Sequence, residues 1–263
     1  MTGATFTVPP YLTLIEIYSG DRLMDIIIFV LIQIAVNIIQ AITGFGGPPI
    51  AMPPSMALVG VNEAKAAVTF LTWFASIFVT IRNFKDVDRK KLLIMLGVMV
   101  PGVAVGMWMF SNLSLPYLML GYGITVVLIG LKRLLITQKG PLPKPLRTGA
   151  LVLSGLMQGM FTSGGPFLAL YSTEAIKDKR VFRATISSVW SILNTYMIIT
   201  MFVQKMYTPK TLELIGWSVI PVVAAVFVGN RVNLKMKQST FMKLVYLLLI
   251  ISGSLLIFNF ITG

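Results

Sequence analysis

The composition of this 263-residue chain indicates a protein whose main solvent is lipid, because 56% of its residues are hydrophobic and only 12% are charged. Its formal net charge of +13 comes from 22 Lys and Arg against 9 Asp and Glu. The cations lie between apolar runs, a placement that is typical of a membrane-topology signal rather than of a nucleic-acid-binding surface. Cys and His are both absent, and no acid–base pair of carboxylates stands out. We therefore expect no enzyme, no metal site and no cofactor.

Eight apolar stretches are long enough to cross a bilayer, which takes about 20 residues each. In chain order they are 24–43, 64–81, 92–110, 115–131, 146–161, 184–203, 212–229 and 241–261. Two shorter apolar pieces, 48–59 and 166–176, each follow a Gly-Gly pair and predict short broken or re-entrant helices. The pattern is that of an all-α polytopic membrane protein.

The two Gly-Gly pairs belong to an internal repeat. A single shift of the sequence lays Gln40, Gly46, Gly47, Pro48 and Lys65 onto Gln158, Gly164, Gly165, Pro166 and Arg183. A duplication predicts two halves of five membrane segments each: a long helix, a break, a short helix and three further helices. We assign residues 23–137 to the first repeat, 147–263 to the second, 138–146 to a cytoplasmic linker and 1–22 to an N-terminal interfacial segment.

The basic loops predict how the chain is oriented. Clusters of Lys and Arg follow the stretches that end near residues 81, 131, 176 and 229, and the positive-inside rule places all four loops in the cytoplasm. If each short helix returns the chain to the side from which it came, both termini lie outside the cytoplasm. The two halves are then inverted with respect to each other.

Inverted repeats with Gly- and Pro-interrupted helices point to the central site of a secondary transporter. Non-helical backbone at membrane depth is tolerated only where protein or a cavity satisfies it, so segments 43–47 and 162–165 should lie together or line a cavity. The N-termini of two short helices would favour an anion there. The predicted substrate-binding residues are Gln40, Thr43, Gly44, Gly46, Gly47, Gln158, Thr162, Ser163, Gly164, Gly165 and Asn194.

Other roles for these residues stay open. The glycines could serve close helix packing, and Gln40 and Gln158 could make interhelical hydrogen bonds. Trp73 and Trp190 are interpreted as lipid-facing or packing aromatics rather than as a substrate clamp. A hypothesis for the cations Lys65, Arg82 and Arg183 is that they attract anions to two vestibules, although Lys65 and Arg183 could instead be anchors that extend to the membrane interface.

The sequence GFGGPPIAMP at 44–53, its echo SGGPFL at 163–168, and Pro101-Gly102 with Gly106 resemble the sulfite exporter TauE/SafE family of anion permeases. The resemblance covers nearly the whole chain. It implies a bacterial inner-membrane protein that carries sulfite, an organosulfonate or a related sulfur-containing or organic anion. Phe167 stands where the first half has Pro49, so the two half-sites are unequal.

These observations predict a transporter for a small anion that works by alternating access, with export favoured. The alternatives are an anion channel that uses the Gly-Gly corners as a filter and proton-coupled anion uptake. The expected partners are the anionic substrate and the lipid bilayer, with no nucleic acid, and the chain could assemble as a homodimer.

Overall fold

The computed structural model describes residues 20–112, 120–121, 124, 127–128, 130–131 and 143–262. Within these residues the ordered elements are helices, which confirms the predicted all-α class. They are α1 (Gly20–Thr43), α2 (Gly47–Val59), α3 (Val61–Arg82), a 3₁₀ turn (Phe84–Asp86), α4 (Arg89–Asn112), α5 (Lys144–Phe161), α6 (Gly165–Ala175), α7 (Lys179–Val203), α8 (Pro209–Lys235) and α9 (Gln238–Thr262).

The long helices make this a polytopic membrane protein. Five of them, α1, α3, α4, α7 and α8, are long and apolar enough to cross a bilayer. The predicted spans 146–161 and 241–261 correspond to α5 and α9, whereas most of 115–131 and of the interfacial segment 1–22 lies outside the described residues. Large apolar side chains such as Ile81, Phe202 and Ile220 are more than two-thirds exposed, as expected of surfaces in contact with lipid.

Both predicted helix breaks are present. The helix α1 ends at Thr43 and the short helix α2 begins at Gly47, while α5 ends at Phe161 and the short helix α6 begins at Gly165. Each short helix has a proline in its first turn, where the missing N–H leaves no helical hydrogen bond unmade. Gly44 and Gly46 adopt φ values of 84° and 88°, a left-handed conformation that favours glycine.

The fourth long or short helix of each half packs against the first helix of the other half. The helix α4 packs along α5, and α8 packs along α1. Both contacts depend on glycine: a Cβ built on Gly155 would lie 3.1 Å from the Cα of Gly102, and one built on Gly229 would lie 2.6 Å from the carbonyl oxygen of Ile38. Small residues at these crossings let the backbones approach closely, as is usual between membrane helices.

The third helices of the two halves, α3 and α7, pack against each other in antiparallel orientation. The Trp73 indole N–H donates to the Thr195 hydroxyl at 2.7 Å, and the hydroxyls of Thr80 and Ser191 are 3.2 Å apart. Later residues of α3 therefore meet earlier residues of α7. This antiparallel pairing is the relation that inverted halves require, while the exact repeat boundaries stay a prediction.

The glycines of the α4–α5 contact provide a test of this packing. A Cβ on Gly106 would lie 2.2 Å from the carbonyl oxygen of Leu156, whereas one on Gly97, in the same helix, meets nothing within 4 Å. We expect Gly106→Ala to destabilise the protein by about 1–3 kcal/mol, because the two backbones must separate. Gly97→Ala should be neutral or slightly stabilising. Thermal unfolding in detergent measures both, and equal melting temperatures would contradict the close α4–α5 contact.

Candidate functional site

The two helix breaks meet in the interior of the helix bundle. A Cβ built on Gly165 would lie 3.4 Å from the amide nitrogen of Gly46 and 3.5 Å from the Phe45 ring. The corner after α1, residues 44–46, and the corner after α5, residues 162–164, are therefore adjacent. The sequence predicted this proximity because neither interruption can be satisfied by lipid.

A small cavity lies between the two corners. Six of the predicted residues line it: Gln40, Gly46, Gln158, Thr162, Gly165 and Asn194. Five further described residues also line it: Phe45, Pro48, Pro49, Thr72 and Trp190. Water-sized spheres can occupy about 10 Å³ of it, which is about the space that one water molecule needs. This conformation is therefore closed around the site.

The two glutamines hold the corners from inside. The side-chain oxygen of Gln40 accepts a hydrogen bond from the Gly47 amide at 3.2 Å, and that of Gln158 accepts one from the Gly164 amide at 3.1 Å. These contacts correct an expectation from the sequence, because the amides of Gly47 and Gly164 are already paired and are not free to bind a ligand. The glutamines thus stabilise the breaks as well as lining the cavity.

The backbone contact at Gln158 also fixes the orientation of the side-chain amides of Gln158 and Asn194. An amide N–H can only donate, so the oxygen of Gln158 must face Gly164 and its amide nitrogen must face α7. That nitrogen donates to the side-chain oxygen of Asn194 at 2.9 Å. The Asn194 amide nitrogen therefore points elsewhere, and within the described residues it has no hydrogen-bond partner.

A second N–H donor lies one helical turn earlier on α7. Trp190 is 3% exposed and Asn194 is 0% exposed, and among the described residues the indole nitrogen of Trp190 likewise has no acceptor. Leaving a buried donor unpaired costs roughly 1–3 kcal/mol, so two such donors on residues of one cavity wall favour a ligand that accepts hydrogen bonds. An oxyanion is such a ligand.

Trp190 is a cavity-lining residue that the sequence interpretation does not select. The sequence favours a packing or lipid-facing aromatic there, yet Trp190 lines the cavity. The signal that could have found it is helical spacing, because Trp190 lies four residues before the predicted residue Asn194 and therefore on the same face of α7.

The other predicted binding residues build the corners from behind the cavity wall. The hydroxyl of Thr43 donates to the Phe45 carbonyl oxygen at 2.6 Å, and that of Ser163 donates to the Phe161 carbonyl oxygen at 2.9 Å. Gly44 packs against α7, since a Cβ there would lie 3.1 Å from the Arg183 carbonyl oxygen. The five residues in this group are Thr43, Gly44, Gly47, Ser163 and Gly164.

Two of the three predicted vestibule cations are not at an aqueous surface. Lys65 and Arg183 are 2% and 3% exposed, whereas Arg82 is exposed. Both buried cations bind neutral groups of neighbouring helices: Lys65 donates to the Gly159 carbonyl oxygen and Arg183 to the side chain of Asn230. In this conformation neither cation faces an open vestibule or the membrane interface, and a role in attracting anions stays a prediction.

Substitutions at two adjacent glycines distinguish the packing of the corner from its contribution to the cavity. A Cβ on Gly164 would lie 2.2 Å from the Ser154 carbonyl oxygen, whereas on Gly165 its nearest neighbour, the Gly46 nitrogen, is 3.4 Å away. We expect Gly164→Ala to destabilise the protein by about 1–3 kcal/mol, and Gly165→Ala to fold normally with a narrower gap between the corners. Thermal unfolding of the purified variants tests this; an unaffected Gly164→Ala would refute the close fit of the corner against α5.

Comparison with known proteins places this architecture in a family. The model of the sulfite exporter TauE/SafE family matches residues 29–256, a range that contains both corners, both short helices and every residue of the cavity wall. No curated protein and no solved structure matches the chain significantly. Since the family match spans most of the chain, the protein belongs to the sulfite exporter TauE/SafE family.

Proposed function

We propose that the protein exports a small sulfur-containing anion, sulfite or an organosulfonate, across a bacterial cytoplasmic membrane by alternating access. The anion occupies the cavity between the two corners, and both chain termini face away from the cytoplasm. The family of membrane sulfite exporters supports the sulfur-containing substrate class, and the chemistry of the cavity supports an anion.

The observation that carries the proposal is the pair of unpartnered N–H donors, Trp190 Nε1 and Asn194 Nδ2. Sulfite and sulfonate oxygens accept hydrogen bonds and donate none, so one anion can satisfy both groups. Among the described residues, the cavity wall contains no carboxylate to repel the anion and no cation. Neutral donors bind an anion strongly enough for selection while still allowing its release.

The closed shape of the cavity supports a transporter over an open pore. A cavity with room for about one water molecule must widen before an anion can enter or leave. Rocking of one half against the other would open it toward each side in turn, as in other proteins with inverted repeats. A channel that uses the same corners as a filter remains the alternative, and it predicts flux that does not saturate with concentration.

Export follows from the energetics of charge movement. The cell interior is negative, so each negative charge that leaves gains roughly 2.3 kcal/mol per 100 mV of membrane potential. Uptake would need coupling to a proton or sodium ion, for which buried carboxylates are the usual ligands. The residues of the cavity wall offer none.

The indole N–H of Trp190 provides a direct test. Trp190→Phe keeps the ring and removes the donor, so we expect the half-saturating sulfite concentration to rise about tenfold, which corresponds to about 1.4 kcal/mol, near the lower end for a hydrogen bond to a charged group. The measurement is radiolabelled sulfite flux in proteoliposomes. Trp73→Phe is the matched control, because the Trp73 indole donates to Thr195 outside the cavity.

Three outcomes would contradict the proposal. Wild-type protein that moves neither sulfite nor an organosulfonate would remove the substrate class, and flux that never saturates would favour the channel. Equal loss of affinity in Trp190→Phe and Trp73→Phe would remove the site assignment. Asn194→Asp provides a second test, because it places a carboxylate beside the bound anion. We expect this variant to abolish transport, whereas Trp190→Phe only weakens binding.

A further inference from the structure

Two buried cations have no role in the central cavity, and the described residues give neither of them an acidic partner. The ion pairs in the described part of the chain join Arg22 to Glu213 and Lys91 to Asp88. Lys65 and Arg183 instead contact only neutral groups, although each is about as buried as the cavity residues. Burying an unpaired charge costs several kcal/mol, so packing alone does not explain two of them.

Each cation has hydrogen-bonding capacity left over. The Lys65 ammonium donates to the Gly159 carbonyl oxygen at 3.0 Å and lies 3.4 Å from the centre of the Phe110 ring, yet an ammonium carries three donors. The Arg183 guanidinium donates to the side-chain oxygens of Asn230 and Asn233 at 2.8 and 3.2 Å. Its Nε is buried and has no partner among the described residues.

The two cations occupy equivalent places at opposite ends of one helix pair. The repeat pairs Lys65 with Arg183, and both lie in the second turn of their helices, α3 and α7. Since α3 and α7 run antiparallel, the two charges lie at opposite ends of the pair. Each also lies beside the last turn of a broken helix: Lys65 contacts α5 directly, and Asn233, a partner of Arg183, donates to the Ile42 carbonyl oxygen of α1 at 2.7 Å.

A buried polar stripe leads from each cation to the central cavity. On α3, Lys65 is followed at helical spacing by Thr69 and by Thr72 of the cavity wall, and Thr69 lies 3.1 Å from the hydroxyl of Thr162. On α7, Arg183 is followed by Ser187 and then by Trp190. All of these side chains are buried. The spacing of four and three residues keeps each stripe on one helical face.

We propose that Lys65 and Arg183 are two further anion-binding residues, one on each side of the central cavity, which hold the oxyanion before and after it occupies that cavity. This inference rests on the proposed transport function. In the closed conformation the Gly159 carbonyl and the Asn230–Asn233 pair take the place of the anion. When the protein opens on one side, the oxyanion displaces them and pairs with the charge, and the stripe then leads it to Trp190 and Asn194.

The experiment measures transport from each face separately. Right-side-out and inverted bacterial membrane vesicles present opposite faces to added radiolabelled sulfite, with vesicles lacking the protein as the background. The chain has no cysteine, so Lys85→Cys, at an exposed position, reports orientation through an impermeant maleimide. The test variants are Lys65→Met and Arg183→Met, and Lys90→Met removes an exposed cation as the control.

We expect each variant to impair one face only. With the predicted topology, Arg183→Met should raise the half-saturating sulfite concentration at least tenfold at the cytoplasmic face, and Lys65→Met should do so at the outer face. Lys65→Arg and Arg183→Lys, which keep the charge, should restore most of the affinity. Removing an unpaired buried charge should leave the melting temperature unchanged or higher, whereas a purely structural role predicts a lower one.

Equal effects at both faces, or no effect at either, would overturn the inference. Trp190→Phe, run alongside, distinguishes this failure from failure of the proposed function: if it weakens transport while both methionine variants behave as wild type, the central site stands and the two cation sites do not. Should a methionine variant fail to fold, Thr69→Val and Ser187→Ala interrupt the same two stripes with small changes and must show the same one-sided effects.

Discussion

The structure depends on how two interrupted helices satisfy their backbone inside an apolar bundle. Where water is excluded, an unpaired amide costs about as much as a lost hydrogen bond. Gln40 and Gln158 meet this demand from the preceding helix, each accepting a hydrogen bond from a glycine amide at the start of the short helix. Each corner therefore receives its glutamine from its own half, while the second corner also has a hydrogen bond between Thr162 and Thr69 of the other half.

Close approach of the helices is the second feature that holds the bundle together. Glycines at the α4–α5 and α1–α8 crossings bring the backbone of one half against the other, and the Gly159 carbonyl at the first crossing accepts a hydrogen bond from Lys65 of a third helix. The same contacts place α3 and α7 side by side, with their polar faces toward the corners. Each half thus supplies one corner and the helix that faces the other corner.

The repeat is symmetric in backbone and asymmetric in chemistry. The partner of Gln158 is Asn194, whereas the equivalent neighbour of Gln40 is the smaller Ser76, at 3.5 Å. Trp190 likewise occupies the position in the second half that is equivalent to Thr72 in the first. The unpartnered N–H donors therefore belong to α7, so one wall of the cavity offers hydrogen-bond donors while the other is shaped mainly by Phe45, Pro48 and Pro49.

The sequence by itself determined the helices, their two breaks and the residues around which the breaks are built. These features are local: apolar length sets a span, and Gly or Pro at fixed places ends one helix and starts the next. The pairing of Gln40 with Gln158 through the repeat also predicted that the two corners lie together, because neither broken segment could face lipid, and both glutamines line the cavity between them.

Tertiary structure decided which way each side chain points. In a membrane helix apolar residues cover both the lipid-facing and the buried side, so periodicity does not identify the inner face. For this reason the sequence did not show that Trp190 lines the cavity or that Lys65 and Arg183 are buried. Nor could it show that the glutamines pair with the amides of Gly47 and Gly164, because hydrogen-bond partners are settled only when the helices have packed.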